Sequence, residues 1–145
     1  MLLRGPPGSG KSDLLLRLIA EAGAGLVADD QVLLTRAGAG PIAQPPAALQ
    51  GVLEARGVGL LRLPPAGPAP VVLLADLSAQ PQRLPAPAHE TLLGCQLRRV
   101  EIDSRCASAV AKLQLALGRR GAAILPPDWH TAAPVAPGGA SGDGR

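Results

Sequence analysis

Eight residues near the start of the chain, Gly5-Pro6-Pro7-Gly8-Ser9-Gly10-Lys11-Ser12, do most to restrict what it can fold into. They match G-x-x-x-x-G-K-[ST] and stand between an apolar stub, Leu2-Leu3, and a segment from Ser12 to about Ala22. In that segment Leu14, Leu15, Leu18 and Ile19 fall on one helical stripe, and Gly23 is suited to end it. Strand, glycine loop, helix is thus the opening order. Such a loop turns successive backbone N–H groups toward phosphate oxygens, and the helix start adds the positive end of its dipole. By this chemistry Gly5, Pro6, Pro7, Gly8, Ser9, Gly10, Lys11 and Ser12 form the nucleotide-binding stretch. Lys11 reaches the β- and γ-phosphates and Ser12 ligates Mg²⁺, so ATP and Mg²⁺ are the expected cofactors. Pro7 withholds one N–H from the cradle.

Beyond Gly23, Leu26-Val27-Ala28 reads as a buried strand ending in Asp29-Asp30, and Val32-Leu33-Leu34 continues extended to a turn at Gly38-Ala39-Gly40. A Pro-rich loop over 41–48 precedes the short segment Leu53-Glu54-Ala55-Arg56-Gly57 and a strand from Val58 to Leu63. Val71 to Ala75 is the clearest central strand. After a second Pro-rich loop over 79–88, Thr91-Leu92-Leu93 and Leu97 to Ile102 read as strands, and Ser104 to Leu117 as a helix stopped by Gly118. The reading is one domain over 1–131, with a Gly, Pro and Ala-rich tail over 132–145 expected to be disordered.

The core such a chain can build is aliphatic, because it has no Phe or Tyr and one Trp, Trp129. Its net charge of +3 comes from scattered Arg rather than from a basic patch interleaved with aromatics, which argues against nucleic acid as a partner. No stretch approaches the length of a membrane span and no leader-like run opens the chain, so the expected setting is cytoplasmic, with no membrane partner. Cys95 and Cys106 lack the spacing of a zinc site or a disulfide framework and read as half-buried thiols.

Phosphoryl transfer asks for a carboxylate near Mg²⁺ and another to orient or deprotonate the acceptor. Asp29 and Asp30, at the end of a buried strand, can divide those roles or can be a polar strand cap. Asp76, closing Val71-Val72-Leu73-Leu74-Ala75-Asp76, has the strand-plus-Asp form of the usual magnesium site and competes with them. Glu54, two residues from Arg56, reads on its own as half of a surface ion pair.

Three blocks taken together resemble a known family. Gly8-Ser9-Gly10-Lys11-Ser12-Asp13, Leu26-Val27-Ala28-Asp29-Asp30-Gln31-Val32 and Leu53-Glu54-Ala55-Arg56-Gly57-Val58-Gly59-Leu60-Leu61 are similar, in order and spacing, to signature blocks of the HPr kinase/phosphorylase catalytic domain, in its short alphaproteobacterial form. The resemblance runs to about residue 117. It implies an α/β, P-loop kinase-like mixed sheet of the PEP-carboxykinase-like kind with flanking helices. It further implies transfer of phosphate from ATP to a serine of the phosphocarrier protein HPr, phosphorolysis in reverse, a role in regulating the phosphotransferase system, and a homo-oligomer, a hexamer.

Carried over by position, Lys11 holds phosphate, Ser12, Glu54 and Asp29 serve the metal, Asp30 is the base toward the serine hydroxyl, and Arg83 is a functional arginine. The segment Ile102-Asp103-Ser104-Arg105 falls where the family has a loop used in dephosphorylation, and Lys112 reads as a surface residue. The family also has a site histidine upstream of the glycine loop. Because four residues precede Gly5, and His89 and His130 lie too far along, the expectation is a chain that starts inside its domain. The alternatives are a generic small-molecule kinase or ATPase using Asp76, and a nucleotide-binding regulatory module without catalysis.

Overall fold

In the computed structural model, residues 1–122 are described. The tail foreseen at 132–145, with Trp129 and His130, lies outside the described residues. In chain order the elements are β1 (Leu2–Arg4), α1 (Lys11–Ala22), β2 (Leu33–Ala37), β3 (Gly40–Gln44), β4 (Val52–Ala55), β5 (Gly59–Arg62), β6 (Ala69–Pro70), β7 (Leu73–Leu77), β8 (Ala88–Leu92), β9 (Cys95–Ile102) and α2 (Ala109–Ala116). Short 3₁₀ turns lie at Ala47–Leu49 and Arg119–Gly121.

The central sheet has the order β1-β7-β9-β8, with β1, β7 and β9 parallel and β8 antiparallel at one edge. Alternation along β7 sorts its two faces. Leu73, Ala75 and Leu77 point to one side, where Leu14 and Leu18 of α1 and Ala109, Val110 and Leu113 of α2 complete an aliphatic cluster. Leu74 points to the other side and joins Leu97, Val71 and Ala43, a second cluster roofed by the β2-β3-β6 sheet. Both helices therefore share one face and a small antiparallel sheet covers the opposite one. The fold is a mixed α/β sheet with flanking helices, as the resemblance implied.

α1 begins at the expected place because Gly10 takes up φ 84 and turns the loop into the helix, with Asp13 in the first turn where the dipole favours an acid. It ends at Gly23, at φ 64, where the N–H groups of Gly23 and Ala24 both return to the Leu18 carbonyl. β5 and β9 fall in segments read as strands, β8 begins earlier than the strand read at Thr91, and the short segment at Leu53 proves to be β4, paired with β5.

Three expectations are corrected. Leu26-Val27-Ala28 is not a strand: Leu26 is buried but makes only an isolated bridge to Pro65, whose missing N–H stops a ladder from growing. The supposed loop over 41–48 begins as β3, paired along its whole length with β2, and the Pro41 carbonyl accepts the Val71 N–H at 2.9 Å. The last helix starts at Ala109, not Ser104, because the segment before it is drawn into other bonds. Asp103 accepts the Arg105 N–H at 3.0 Å, and Arg17 of α1 donates to the carbonyls of Ser104, Cys106 and Ala107. Cys95 and Cys106 are free and half-buried, as expected.

Candidate functional site

The glycine loop leaves the carboxyl end of β1 and closes on itself before α1. Ser9 N–H donates to the Pro6 carbonyl at 3.1 Å, and the positive φ of Gly8 and Gly10, 77° and 84°, give the loop its curvature. Lys11 lies back across the loop, its Nζ donating to the Gly5 carbonyl at 2.8 Å and the Pro6 carbonyl at 3.2 Å. From below, the buried Ser104 donates its Oγ to the Ser9 carbonyl at 2.6 Å.

Two distant segments come to this loop. Asp29 follows the anchored Leu26, whose carbonyl accepts the Ala66 N–H at 2.9 Å. Its Oδ1 accepts the Ser12 hydroxyl at 3.0 Å and its Oδ2 takes a long bond, 3.4 Å, from the Glu54 N–H. Asp29 thus ties the first turn of α1 to β4. On β4 the side chains of Leu53 and Ala55 are buried, so period-two alternation turns Glu54 outward. The result is a cavity of about 520 Å³ whose lining includes Lys11, Ser12, Asp13, Asp30, Glu54 and Arg56. Residues from all three sequence blocks meet there.

Ser12, Asp29 and Glu54 offer hard oxygen donors, the kind Mg²⁺ takes. Among the described residues no three His, Cys, Asp or Glu side chains are grouped closely enough to hold a metal by themselves. The donor set fits an ion that draws the rest of its shell from water and substrate phosphates, which is the habit of Mg²⁺ rather than of a caged cation.

Asp76 is committed elsewhere. It lies on the sheet face opposite the helices, in register with Arg4 of β1, and accepts Arg4 Nε at 2.7 Å and the Arg99 Nε. Arg4 also forks onto Glu90 at 2.6 and 2.8 Å. Burial pushes the Asp76 carboxyl up, but the hydrogen bonds from Arg4 and Arg99 and their charges outweigh it and hold it below the usual value. Both guanidiniums are raised in turn, each chiefly by its carboxylate hydrogen bonds. Arg83 is exposed on the loop between β7 and β8 and does not line the cavity. His89 is exposed on β8, and Lys112 is exposed on α2.

Sequence reasoning gave no role at the loop to the Ser104 hydroxyl, to Arg17 behind it, or to Asp13 at the cavity wall. For Ser104 the available signal was a small polar residue just past the carboxyl end of an apolar strand, the position from which α/β sheets present their binding groups. For Arg17 there was none, since its three carbonyl acceptors are about ninety residues away along the chain.

Fold and site together define an α/β protein built on a strand, glycine loop and helix, with carboxylates gathered over the loop. Within that class, part of the chain is similar to the catalytic domain of the HPr kinase/phosphorylases. Residues 1–65 match the family model described as HPr Serine kinase C-terminal domain. HPr kinase/phosphorylase from Bordetella pertussis is 52% identical over 62 residues and that from Bordetella petrii 50% over 62, each match taking in 42% of this chain. The matched stretch is 20% of each relative's length, so the chain corresponds to about a fifth of these proteins. The structure of the Hpr(Ser) kinase/phosphatase from Coxiella burnetii superposes with a TM-score of 0.67 at 23% identity, covering 79% of this chain and 83% of that one. Sequence likeness therefore takes in the glycine loop, Asp29-Asp30 and Glu54, while the fold alone carries it further.

Proposed function

We propose that the chain carries the catalytic centre of an ATP-dependent protein-serine kinase whose acceptor is the phosphocarrier protein HPr, acting in regulation of the phosphotransferase system. The observation that supports it best is the single cavity lined by the glycine loop, Asp30 and Glu54. Lys11, tethered to the loop's own carbonyls, is the cation for the β- and γ-phosphates, and the loop N–H groups hold the phosphate chain. Asp30, exposed at the cavity wall and without a hydrogen-bond partner among the described residues, accepts the proton of the serine hydroxyl. That oxygen attacks the γ-phosphorus as the bond to the β-phosphate oxygen breaks, giving phosphoserine and ADP. Ser12, Asp29 and Glu54 would hold Mg²⁺ together with the phosphates, and the ion would supply neutralisation of charge on the phosphoryl oxygens. In phosphorolysis, inorganic phosphate attacks the phosphoserine phosphorus, the bond from that phosphorus to the serine oxygen breaks, and protonated Asp30 gives its proton to that oxygen, releasing serine and pyrophosphate. Arg83, outside the cavity, would meet the acceptor protein rather than the nucleotide. A homo-oligomer, a hexamer by resemblance, and a cytoplasmic setting belong to the same reading.

The test is transfer of labelled γ-phosphate to HPr by the chain and by Asp30→Asn, Asp76→Asn and Arg83→Ala. The proposal expects Asp30→Asn to abolish transfer with ATP affinity retained. Asp76→Asn should still transfer, and Arg83→Ala should transfer slowly with ATP affinity unchanged. ATP binding without any transfer to HPr, or loss of transfer only in Asp76→Asn, overturns it.

A further inference from the structure

The serine that braces the glycine loop from beneath is tied to it in a way that bears on phosphate binding. A trans peptide is planar, with its C=O and N–H pointing in opposite directions. Ser104 Oγ fixes the Ser9 carbonyl at 2.6 Å, and the same peptide unit carries the Gly10 N–H, which is thereby aimed away from Ser104. Among the described residues that N–H has no backbone acceptor. Ser104 is itself held: it is 5% exposed, and its own carbonyl accepts Arg17 at 3.2 Å, part of the fork by which Arg17 grips the carbonyls of Ser104, Cys106 and Ala107. The fit is close, since a Cβ on Gly10 would stand 2.7 Å from Ser104 Oγ.

We infer that Ser104 is a positioning residue for phosphate binding: its hydroxyl locks the Ser9–Gly10 peptide so that the Gly10 N–H faces the phosphate cradle. The ligand class is the di- or triphosphate of a nucleotide, or pyrophosphate, so the inference rests on the phosphate-binding reading of the loop. Without the hydroxyl the peptide is free to rotate, and Gly10, having no Cβ, offers little resistance to the flip. The N–H then points away from the ligand in part of the population, and affinity falls by that fraction. Arg17 acts one step further back, by holding the segment that carries Ser104.

The experiment measures pyrophosphate and Mg²⁺-ATP binding by calorimetry for the whole chain and for Ser104→Ala and Ser104→Thr, and follows the Gly10 amide by ¹H–¹⁵N NMR. Loss of a hydrogen bond of this kind predicts roughly five- to tenfold weaker binding of both ligands in Ser104→Ala. The downfield movement of the Gly10 amide on adding pyrophosphate should be reduced in that variant and restored in Ser104→Thr, which keeps the hydroxyl. A merely structural role would lower the unfolding midpoint and leave the Gly10 amide response intact, and that result overturns the inference. If Ser104→Ala does not fold, Ser104→Cys, with a weakly donating thiol of similar size, carries the same comparison. Failure of the unmutated chain to bind either ligand would remove the phosphate-binding reading along with the inference. Normal binding with an unaltered Gly10 response in Ser104→Ala removes the inference alone.

Discussion

At the scale of single residues, two backbone positions have consequences that their side chains alone do not suggest. Gly10 combines φ 84 with a site where a Cβ would press on Ser104 Oγ at 2.7 Å. An alanine there meets both the left-handed penalty and the clash, so Gly10→Ala should lose about 2 kcal/mol of stability in urea titration and most of its ATP affinity. Leu93 is the opposite case. It sits at φ 50 in the two-residue turn with Gly94 that joins β8 to β9, and its side chain is largely exposed. The turn requires positive φ at both places, and leucine is poorly suited to the first. Leu93→Asn should raise stability by about 0.5–1 kcal/mol, read as a higher urea midpoint at unchanged slope.

At the scale of elements, α1 is both the floor of the cavity and the post to which the segment before α2 is tied. Its buried side, Leu14 and Leu18, meets β7 and α2, while Arg17 on its flank reaches the carbonyls of Ser104, Cys106 and Ala107. Those three carbonyls belong to a stretch that local pattern reads as helix, and the guanidinium competes with helical hydrogen bonds for them. Arg17→Met keeps the apolar stem and removes the donors. It should cost about 1–2 kcal/mol, discounted for partial exposure, and hydrogen exchange of the amides at 104–108 should quicken. Exchange unchanged at those amides would show the tie to be slack in solution.

For the whole molecule, the two faces of the central sheet are stabilised by different means. The helix face is aliphatic throughout, whereas the other face passes from the Leu74 and Leu97 layer to the network of Arg4, Asp76, Glu90 and Arg99. The carboxyl of Asp76 is depressed in the fold relative to its ordinary value near 3.9, so the stability it confers is fully present above about pH 4. It is lost as pH falls through the depressed folded value. Glu90, held down first by its hydrogen bond from Arg4, acts in the same direction. Asp76→Asn should accordingly be less stable than the parent at pH 7, with two guanidiniums left facing a neutral amide. The two stability curves should draw together as pH falls below about 4 and through the depressed folded value, as urea midpoints measured from pH 7 downward will reveal.

What the chain's sequence settled by itself was local: a strand, a glycine loop and a helix, because Gly8, Gly10 and Gly23 supply the left-handed turns and Leu14 and Leu18 the apolar stripe. The apolar run over 97–102 likewise marked a strand. Tertiary structure gave the acids different surroundings. Asp76 has the better local pattern, yet pairing of β1 with β7 sets it beside Arg4, and a carboxylate so paired is held within the sheet's own network. Asp29 and Glu54, unremarkable in isolation, are linked only when the buried Leu26 and Leu53 bring their segments together. The brace from Ser104 to Ser9 joins residues ninety-five positions apart, and no periodicity within either segment encodes it. Hydrogen bonds over such separations are products of packing, and for that reason the glycine loop was legible in the sequence while the support beneath it was not.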